Sequence, residues 1–371
     1  MIYLNQAGTS WPKPSPVREA VQDALTAPVE SWANRFNAQH QAICAAFGVG
    51  NPERLLLTPG ATSALSVGIL DHPWQSGDRV LVSGLEHHAL YRPVQQLADR
   101  GVEVGIIPPG EGGAIALSAL RAELQRGGVR MVAMTAACNV TGDVLPIKQI
   151  VSLAHEYDAL VLIDAAQITG WVPVDVMALD VDLLAFTGHK GAQAPWGIGG
   201  LYVAERVLMS SPSAACELPV DGEPACSTMP GYCDAGSVDR AALAGLVAGF
   251  RWLAAPERSN RLEVARKRVA ILQEVVSGRP GVTLHAYTPL ASRMPTLALT
   301  VLNHSPAELA SALSDRGILV AAGLQCAPLA HETLGTAPSG VLRMSFGPGN
   351  EDGDVDIAAA ALGEVLEDGP A

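Results

Sequence analysis

Residues 160–190 read LVLIDAAQITGWVPVDVMALDVDLLAFTGHK and contain two short apolar runs that each lead into polar residues. The run Leu160–Asp164 ends on a carboxylate, and the run 181–186 leads into Thr-Gly-His-Lys at residues 187–190. Short apolar runs bounded by turn residues are typical of strands buried on both faces of a parallel sheet. Ligands of such sheets bind at the carboxyl ends of the strands. The stretch therefore predicts an α/β fold with a site near Asp164 and Lys190.

The same alternation of strands and helices extends on both sides of this stretch. The further strands that we predict for the sheet are residues 54–58, 79–83, 102–107, 131–136 and 200–203. Helical patterns between successive strands favour right-handed βαβ crossovers. We expect a large domain over residues 15–255 with a mostly parallel sheet of seven strands. A smaller α+β domain should comprise residues 256–371 together with residues 1–14.

Composition and charge argue against several classes of protein. The chain has 371 residues, with 24 basic and 37 acidic side chains and a net charge of −13. An acidic chain without a basic block is a poor binder of nucleic acid or membrane surfaces. Its apolar runs stop well short of the ~20 residues that a membrane span needs, and its first residues do not resemble a signal peptide. We therefore expect a soluble cytoplasmic protein.

Cysteine and lysine usage narrows the chemistry further. The six cysteines form no C-x-x-C pair, and no histidine cluster has zinc-ligand spacing, so we predict reduced thiols and no metal site. Only Lys13, Lys148, Lys190 and Lys267 are lysines, and the other basic residues are arginines. Lys190 lies in a glycine-rich loop, which is an unusual place for a lysine that only aids solubility.

Two strand ends carry residues suited to a cofactor. Asp164 ends an apolar strand, where a carboxylate is costly unless it meets a cation, and Gln167 follows three residues later. A helix cap would also explain Asp164. If Lys190 is buried, its amine loses a proton readily and can form a Schiff base with a carbonyl. An ordinary surface loop is the alternative for Lys190.

A glycine turn and a histidine pair complete the pattern. In residues 58–65, TPGATSAL, Gly60 precedes a helix whose N-terminal N–H groups suit a phosphate. His87, within Glu86-His87-His88, supplies a flat ring after a strand, although such histidines are more often structural. A phosphate cradle, a stacking ring, a strand-end acid and a loop lysine are together what pyridoxal phosphate requires.

With these motifs the chain resembles the fold-type I pyridoxal-phosphate enzymes of the class V aminotransferase superfamily. It is most similar to the cysteine desulfurase and selenocysteine lyase branch, over nearly the whole chain. The most specific matches are TGHK at 187–190 with GIGG at 197–200, DAAQ at 164–167, NVTG at 139–142, GLQCAPLAH at 323–331 and VLRMS at 341–345.

The resemblance implies a role for each residue of a site that binds pyridoxal 5'-phosphate. The phosphate would be held by Ala61, Thr62, Thr187 and His189, and the ring by His87 (stacking), Asp164 (pyridine nitrogen), Gln167 (phenolic oxygen) and Asn139. Lys190 would bond to the cofactor and move protons, Cys326 would be the catalytic thiol, and Arg343, with Asn139, would bind the substrate carboxylate. Gly236-Ser237 would reach the phosphate of a partner subunit, which implies a homodimer.

Several positions depart from the pattern of this family. Asn5 and Gln6 replace the usual Asp-Asn, Ala321 stands where an arginine is usual, and Gln325 stands where a histidine usually precedes the cysteine. The segment 29–52 is also shorter than usual. These departures concern the substrate side of the predicted site rather than the cofactor side.

The resemblance implies cleavage of the C–S bond of L-cysteine or a related small amino acid. Cys326 would take the sulfur as a persulfide, alanine would be released, and an acceptor protein could receive the sulfur. The departures leave open a β-eliminating C–S lyase, or an aminotransferase or epimerase of specialised metabolism. A non-catalytic, cofactor-binding sulfur-transfer partner is a further alternative.

Overall fold

The computed structural model describes residues 1–209 and 237–368. In chain order the strands are β1 (Ile2–Tyr3), β2 (Leu55–Thr58), β3 (Arg79–Ser83), β4 (Glu103–Ile107), β5 (Val129–Thr135), β6 (Leu160–Asp164), β7 (Leu183–Thr187), β8 (Gly199–Val203), β9 (Val282–Leu284), β10 (Thr296–Val301), β11 (Ile318–Leu319), β12 (Ala321–Gly323) and β13 (Val341–Ser345). The helices are α1 (Ser15–Thr26), α2 (Trp32–Ala46), α3 (Ala61–Leu70), α4 (His88–Gln96), α5 (Leu117–Gln125), α6 (Ile147–His155), α7 (Val176–Leu179), α8 (Arg240–Leu253), α9 (Arg261–Val276), α10 (Pro306–Asp315), α11 (Pro328–Leu334) and α12 (Asp352–Asp368).

Seven strands form the large sheet, in the order β2-β8-β7-β6-β5-β3-β4. The strands β3 to β7 run parallel, whereas β8 runs antiparallel to both of its neighbours, β2 and β7. The strand β2 therefore points the same way as β7. Every residue of β2, β3, β7 and β8 is buried, as expected for a sheet with helices on both faces. The predicted α/β fold with a mostly parallel sheet is confirmed.

This strand arrangement gathers polar residues at one edge of the large sheet. Thr58, Thr135, Asp164 and Thr187 are the last residues of β2, β5, β6 and β7. Because these four strands share a direction, their carboxyl ends lie at the same edge, which is where a parallel sheet binds ligands.

A smaller antiparallel sheet follows in the last third of the chain, in the order β12-β13-β10-β9. The beginning of the chain joins this region, since β1 pairs with β11 and Asn5 bridges to Ser345. That pairing accords with the assignment of residues 1–14 to the smaller domain, although the limits of the two domains stay a prediction.

Three of the six cysteines fall within the described residues, and all three are free thiols. Cys44 and Cys138 are buried, whereas Cys326 is exposed. Cys216, Cys226, Cys233 and Gly236 lie outside the described residues. Among residues 1–209 and 237–368, no helix combines the length and the apolar character that crossing a membrane requires.

Candidate active site

A cavity of about 750 Å³ opens at the carboxyl edge of the large sheet, where the smaller sheet faces it. The predicted site residues that line it are Ala61, Thr62, His87, Asn139, Asp164, Gln167, Thr187, His189, Lys190, Cys326 and Arg343. Ser237 lies apart from these residues, in a small crevice beside Pro59 and Gly197, two residues that also line the large cavity. Its predicted role concerns the site of a partner subunit and stays a prediction.

The N-terminus of α3 forms one end of the cavity. Gly60 occupies the cap position and provides no side-chain acceptor, so the first N–H groups of α3 lack a side-chain cap. Ala61, Thr62 and Ser63 of this turn line the cavity. A Cβ atom on Gly199 would lie 2.7 Å from the Cα atom of Gly60, so glycine allows β8 to pack against the turn. Uncapped N–H groups at a helix N-terminus fit a phosphate group.

Asp164 and Lys190 contribute a carboxylate and an amine to the lining of the cavity. One oxygen of Asp164 accepts the N–H of Ala166 at 2.9 Å. Burial raises the pKa of Asp164, and the Ala166 N–H and the charge of Lys190 oppose the rise. Burial also lowers the pKa of Lys190. The charge of Asp164 opposes this decrease in pKa, and the charge of Arg343 adds to it. Neither residue forms an ion pair within the described ranges, so the carboxylate is available for a protonated ring nitrogen and the amine for a carbonyl.

His87 occupies the cap position of α4, and its Nδ1 atom accepts the N–H of Ala89 at 3.0 Å. Burial lowers the pKa of His87 to about 3, and the charges of Lys190, His88 and Arg343 contribute. An Nδ1 atom that accepts leaves the proton on Nε2, so the ring is neutral and its orientation is fixed. A neutral flat ring at this position fits the stacking role that the resemblance implies.

Glu86 is a buried acid behind the site that the motif analysis did not assign a role. Its side chain is 0% exposed. It accepts the hydroxyl of Ser83 and, at 3.0 Å with both oxygens, the N–H of Thr135. Burial raises its pKa to about 8, partly offset by these bonds, and Asp164 adds to the rise. The sequence pattern that could have identified Glu86 is the one used for Asp164, an acidic residue at or just beyond the end of an apolar strand.

Arg343 lies in β13 and reaches the cavity from the smaller sheet. It is 3% exposed, and its two terminal nitrogens donate to the Asn139 carbonyl and to Oδ1 of Asn5, both at 2.6 Å. Burial lowers its pKa to about 10. No carboxylate pairs with Arg343 in the described part of the chain, so its charge is available to a substrate carboxylate.

Cys326 lies on a loop held in an unusual backbone conformation. Gln325 and Cys326 have φ angles of 42° and 58°, in the left-handed region. The carbonyl of Gln325 accepts from Nδ2 of Asn139, and the carbonyl of Cys326 accepts the N–H of His88, both at 2.8 Å. The loop backbone is thus tied to the loop after β5 and to the start of α4, while Cys326 itself remains exposed.

Some residues of the cavity wall were not predicted from the motifs. Asn5, Ala7 and Gly8 approach from the N-terminal segment, and Nε2 of Gln167 donates to the Ala7 carbonyl at 3.1 Å. Trp196 lines the cavity with 63% of its surface exposed. Thr135 could have been found from its place at the end of a strand. The sequence marks Asn5 only as a departure from the family pattern. No local pattern predicts its contact with Arg343, because the two residues are 338 positions apart.

Three comparisons with known proteins bear on this site. The profile of the family described as aminotransferase class-V matches residues 2–357. The chain is 29% identical to a probable cysteine desulfurase of Vibrio cholerae, with 99% of this chain and 94% of that protein aligned. It is 31% identical to a cysteine desulfurase of Shigella sonnei, over 74% of this chain and 69% of the relative. The crystal structure of the cysteine desulfurase CsdA of Escherichia coli superposes with a TM-score of 0.86 and 27% identity, covering 98% and 94% of the two chains.

Proposed function

Since the chain belongs to the aminotransferase class-V family, as its motifs predict, we propose that it works as a pyridoxal-phosphate-dependent cysteine desulfurase. One observation carries the proposal: the exposed thiol of Cys326 borders the cavity that Lys190 and Arg343 also line. A nucleophile, a proton carrier and a carboxylate-binding group are therefore within one enclosure that a small amino acid can enter.

The cavity residues fit pyridoxal 5'-phosphate at both ends. The uncapped N-terminus of α3, with Thr187 and His189, would bind the phosphate, and His87 would cover the ring. Asp164, buried without an ion-pair partner among the described residues, would keep a proton on the ring nitrogen. The bound cofactor would supply a sink for electrons from a bond broken at the substrate.

The protein side chains would then carry out binding, proton transfer and sulfur transfer. Arg343 would bind the substrate carboxylate with its guanidinium group, and Asn139 would help to orient it. Lys190, whose pKa is lowered by burial, would take the α-proton and later return a proton to carbon. These assignments extend the predicted roles of the three residues and remain proposals.

The sulfur step would be a displacement at the substrate sulfur by the Cys326 thiolate. A new S–S bond forms to Cys326 while the C–S bond of the substrate breaks, and its electron pair goes to the substrate carbon. Protonation of that carbon gives alanine, and Cys326 keeps the sulfur as a persulfide. The reaction needs the thiolate form of Cys326, because the thiolate rather than the thiol is the nucleophile.

The proposal extends to the setting of the enzyme. The exposed position of Cys326 would allow an acceptor protein or a thiol reductant to remove the sulfur. A homodimer would bring Ser237 of one subunit toward the phosphate of the other. Free, unpaired thiols at the described cysteines accord with a cytoplasmic enzyme.

A β-eliminating lyase is the second candidate, and the small-sheet wall of the cavity favours it. Ala321, where the family usually has an arginine, and Ala322 place two small apolar side chains on this wall, and Ala321 pairs with Arg343 across β12 and β13. Elimination needs Lys190 but no protein thiol, because the sulfur leaves the substrate as sulfide, and hydrolysis of the unsaturated amine that remains gives pyruvate and ammonia. A related aminotransferase or epimerase would share the cofactor residues and also dispense with Cys326.

Cys326→Ser separates these candidates when the purified enzyme is given L-cysteine and a reductant. We expect wild type to form sulfide and alanine in equal amounts and the variant to form neither, with the visible absorption of its cofactor unchanged. A serine hydroxyl is too weakly acidic to replace the thiolate. Cys44→Ala, which removes a buried thiol that does not line the cavity, is the matched control and should behave as wild type.

Other product patterns would contradict the desulfurase assignment. Pyruvate with sulfide, and a serine variant that keeps its activity, would identify the eliminating lyase. Wild-type protein that carries the cofactor but forms no product from L-cysteine would favour another amino-acid substrate or the non-catalytic, cofactor-binding alternative.

A further inference from the structure

The N-terminal segment 9–13 contacts both the backbone and the ring of His189. The carbonyl oxygen of His189 lies 2.8 Å from the N–H of Ser10, 3.0 Å from its hydroxyl and 3.1 Å from Nζ of Lys13. The Thr9 hydroxyl oxygen lies 3.0 Å from the same carbonyl and 3.1 Å from Nδ1 of the His189 ring. The single proton of the Thr9 hydroxyl therefore has two candidate acceptors on one residue.

Counting donors decides between these two acceptors. A carbonyl oxygen has two lone pairs, and an ammonium group can only donate. Lys13 donates to the Ser10 hydroxyl oxygen at 2.7 Å, so the proton of that hydroxyl is directed to the His189 carbonyl. The Ser10 N–H, the Ser10 hydroxyl and Nζ of Lys13 all donate to this carbonyl, so its two lone pairs are filled without Thr9. The proton of Thr9 is then left for Nδ1.

The direction of this bond sets which nitrogen of His189 carries the ring proton. Burial lowers the pKa of His189 to about 4, and the charges of Lys190 and Lys13 contribute, so the ring holds one proton at neutral pH. If Nδ1 accepts from Thr9, that proton is on Nε2. Were Nδ1 to donate to Thr9 instead, Nε2 would carry a lone pair and would repel an anion.

The setting of His189 gives that Nε2–H group a place to donate. His189 lines the cavity with Thr187 and the first turn of α3, and its Nε2 atom has no hydrogen-bond partner among the described residues. The ring stacks on Trp196, with centroids 6.4 Å apart and planes inclined by 28°. Nζ of Lys13 also lies over the Trp196 ring, 5.7 Å from its centroid. Stacking on Trp196 fixes the plane of the imidazole, and the bond from Thr9 sets its tautomer.

We propose that Thr9 is a positioning residue for the phosphate site: its hydroxyl donates to Nδ1 of His189 and so makes the Nε2–H group a donor to a phosphate in the cavity. This inference rests on the proposed cofactor, whose phosphate would occupy the site. It assigns the N-terminal segment a role in ligand binding although Thr9 does not itself line the cavity.

The test compares two ligands that differ only in the phosphate. Full-length protein freed of cofactor is titrated with pyridoxal 5'-phosphate and with pyridoxal, using wild type, Thr9→Val and Thr9→Ser. Valine matches the shape of threonine without its hydroxyl, and serine restores the hydroxyl. Thr26→Val is the matched control, because Thr26 is exposed on α1 and its hydroxyl contacts only the carbonyls of its own helix.

For Thr9→Val we expect a Kd for pyridoxal 5'-phosphate raised about tenfold, the effect of losing one hydrogen bond to a charged group. The Kd for pyridoxal should stay within about twofold, and Thr9→Ser and Thr26→Val should match wild type. Equal weakening of both ligands would overturn the inference by showing a general structural role. Unchanged affinity for both ligands would overturn it as well.

A cofactor-free measurement keeps the inference separate from the proposed function. In protein labelled with ¹⁵N-histidine, His189 should show a protonated Nε2 and an unprotonated Nδ1, with its signals assigned from a His189→Gln spectrum. Thr9→Val should lose this preference. A protonated Nδ1 in wild type would overturn the inference even if the enzyme binds the cofactor. Failure of wild type to bind pyridoxal 5'-phosphate would overturn the proposed function and leave the tautomer to be decided by this spectrum.

Discussion

The two walls of the cavity are built in different ways. The sheet wall carries Asp164, Thr187 and Lys190 at or just beyond the ends of neighbouring strands of the large sheet. The loop wall carries Arg343 together with Gln325 and Cys326, two residues in left-handed backbone conformation. Strand pairing positions Asp164 and Thr187 and, in β13, Arg343, whereas long-range contacts position the loop that carries Gln325 and Cys326. The sheet wall therefore follows from strand pattern, and the loop of the second wall depends on which distant segments meet.

The walls also differ in how completely their polar groups are satisfied. On the loop side, Nε of Arg343, Oδ1 of Asn139 and Oε1 of Gln325 are buried and have no hydrogen-bond partner. A buried polar atom without a partner costs about 1–3 kcal/mol. The loop wall therefore contains three buried polar atoms whose cost is not offset by a hydrogen bond within the described residues.

The largest effect should come from the lysine of the sheet wall. Lys190→Ala should lower activity more than about 10³-fold, because it removes both the amine that bonds to the cofactor and the proton carrier. After borohydride reduction, mass spectrometry should find the cofactor attached to residue 190 in wild type only. Exposed Lys148 on α6 gives the control Lys148→Ala. Cofactor attached elsewhere in wild type would refute the assignment.

A smaller loss, about 10²-fold in kcat, is expected for Asp164→Asn, which removes a charge that acts on the ring. Burial raises the pKa of Asp164, so the ionised form is disfavoured in the folded protein. The cofactor-free variant should therefore have a Tm equal to or above that of wild type. If Asp164→Asn lowers both the Tm and the activity, Asp164 acts mainly as a cap for the N–H of Ala166.

On the loop wall, Arg343→Lys tests the carboxylate contact while keeping the charge. We expect KM for the amino-acid substrate to rise about 10-fold or more, with a smaller change in kcat, because lysine cannot make the bidentate contact. Arg121→Ala removes an exposed ion pair with Glu156 and serves as the control. An unchanged KM in Arg343→Lys would indicate that Arg343 only joins Asn5 to Asn139.

The smallest effect on activity, within about threefold, is expected for Glu86→Gln, since Glu86 does not line the cavity. Its effect on stability should depend on pH. The pKa of Glu86 in the folded protein, about 8, lies above its usual value of 4.5, so ionisation of Glu86 in the unfolded chain lowers stability as pH rises between these values. The difference in Tm between Glu86→Gln and wild type should therefore shift in favour of the variant when the pH is raised from about 5.5 to about 8.5. A pH-independent difference would show that Glu86 is ionised throughout.

Strand pattern and resemblance together anticipated most of the sheet wall. The predicted strand 181–186 is observed as Leu183–Thr187, and Leu160–Asp164 is observed as predicted. The reason is local: a run of apolar residues that stops at a polar residue marks both the burial of a strand and its end. The family resemblance of these motifs is confirmed by the match over residues 2–357, while the individual site roles remain predictions.

What the sequence determined by itself is the approximate position of each strand of the large sheet and the chemistry available at its edge, because apolar periodicity and strand-end residues are local properties. Only the tertiary structure decided the partners of those residues. It joined Asn5 to Arg343, buried Glu86 between β3 and β5, and brought Thr9 and Lys13 onto His189. These contacts link residues 49 to 338 positions apart. The order in which strands and loops pack sets such distances, and no local pattern in the chain encodes them.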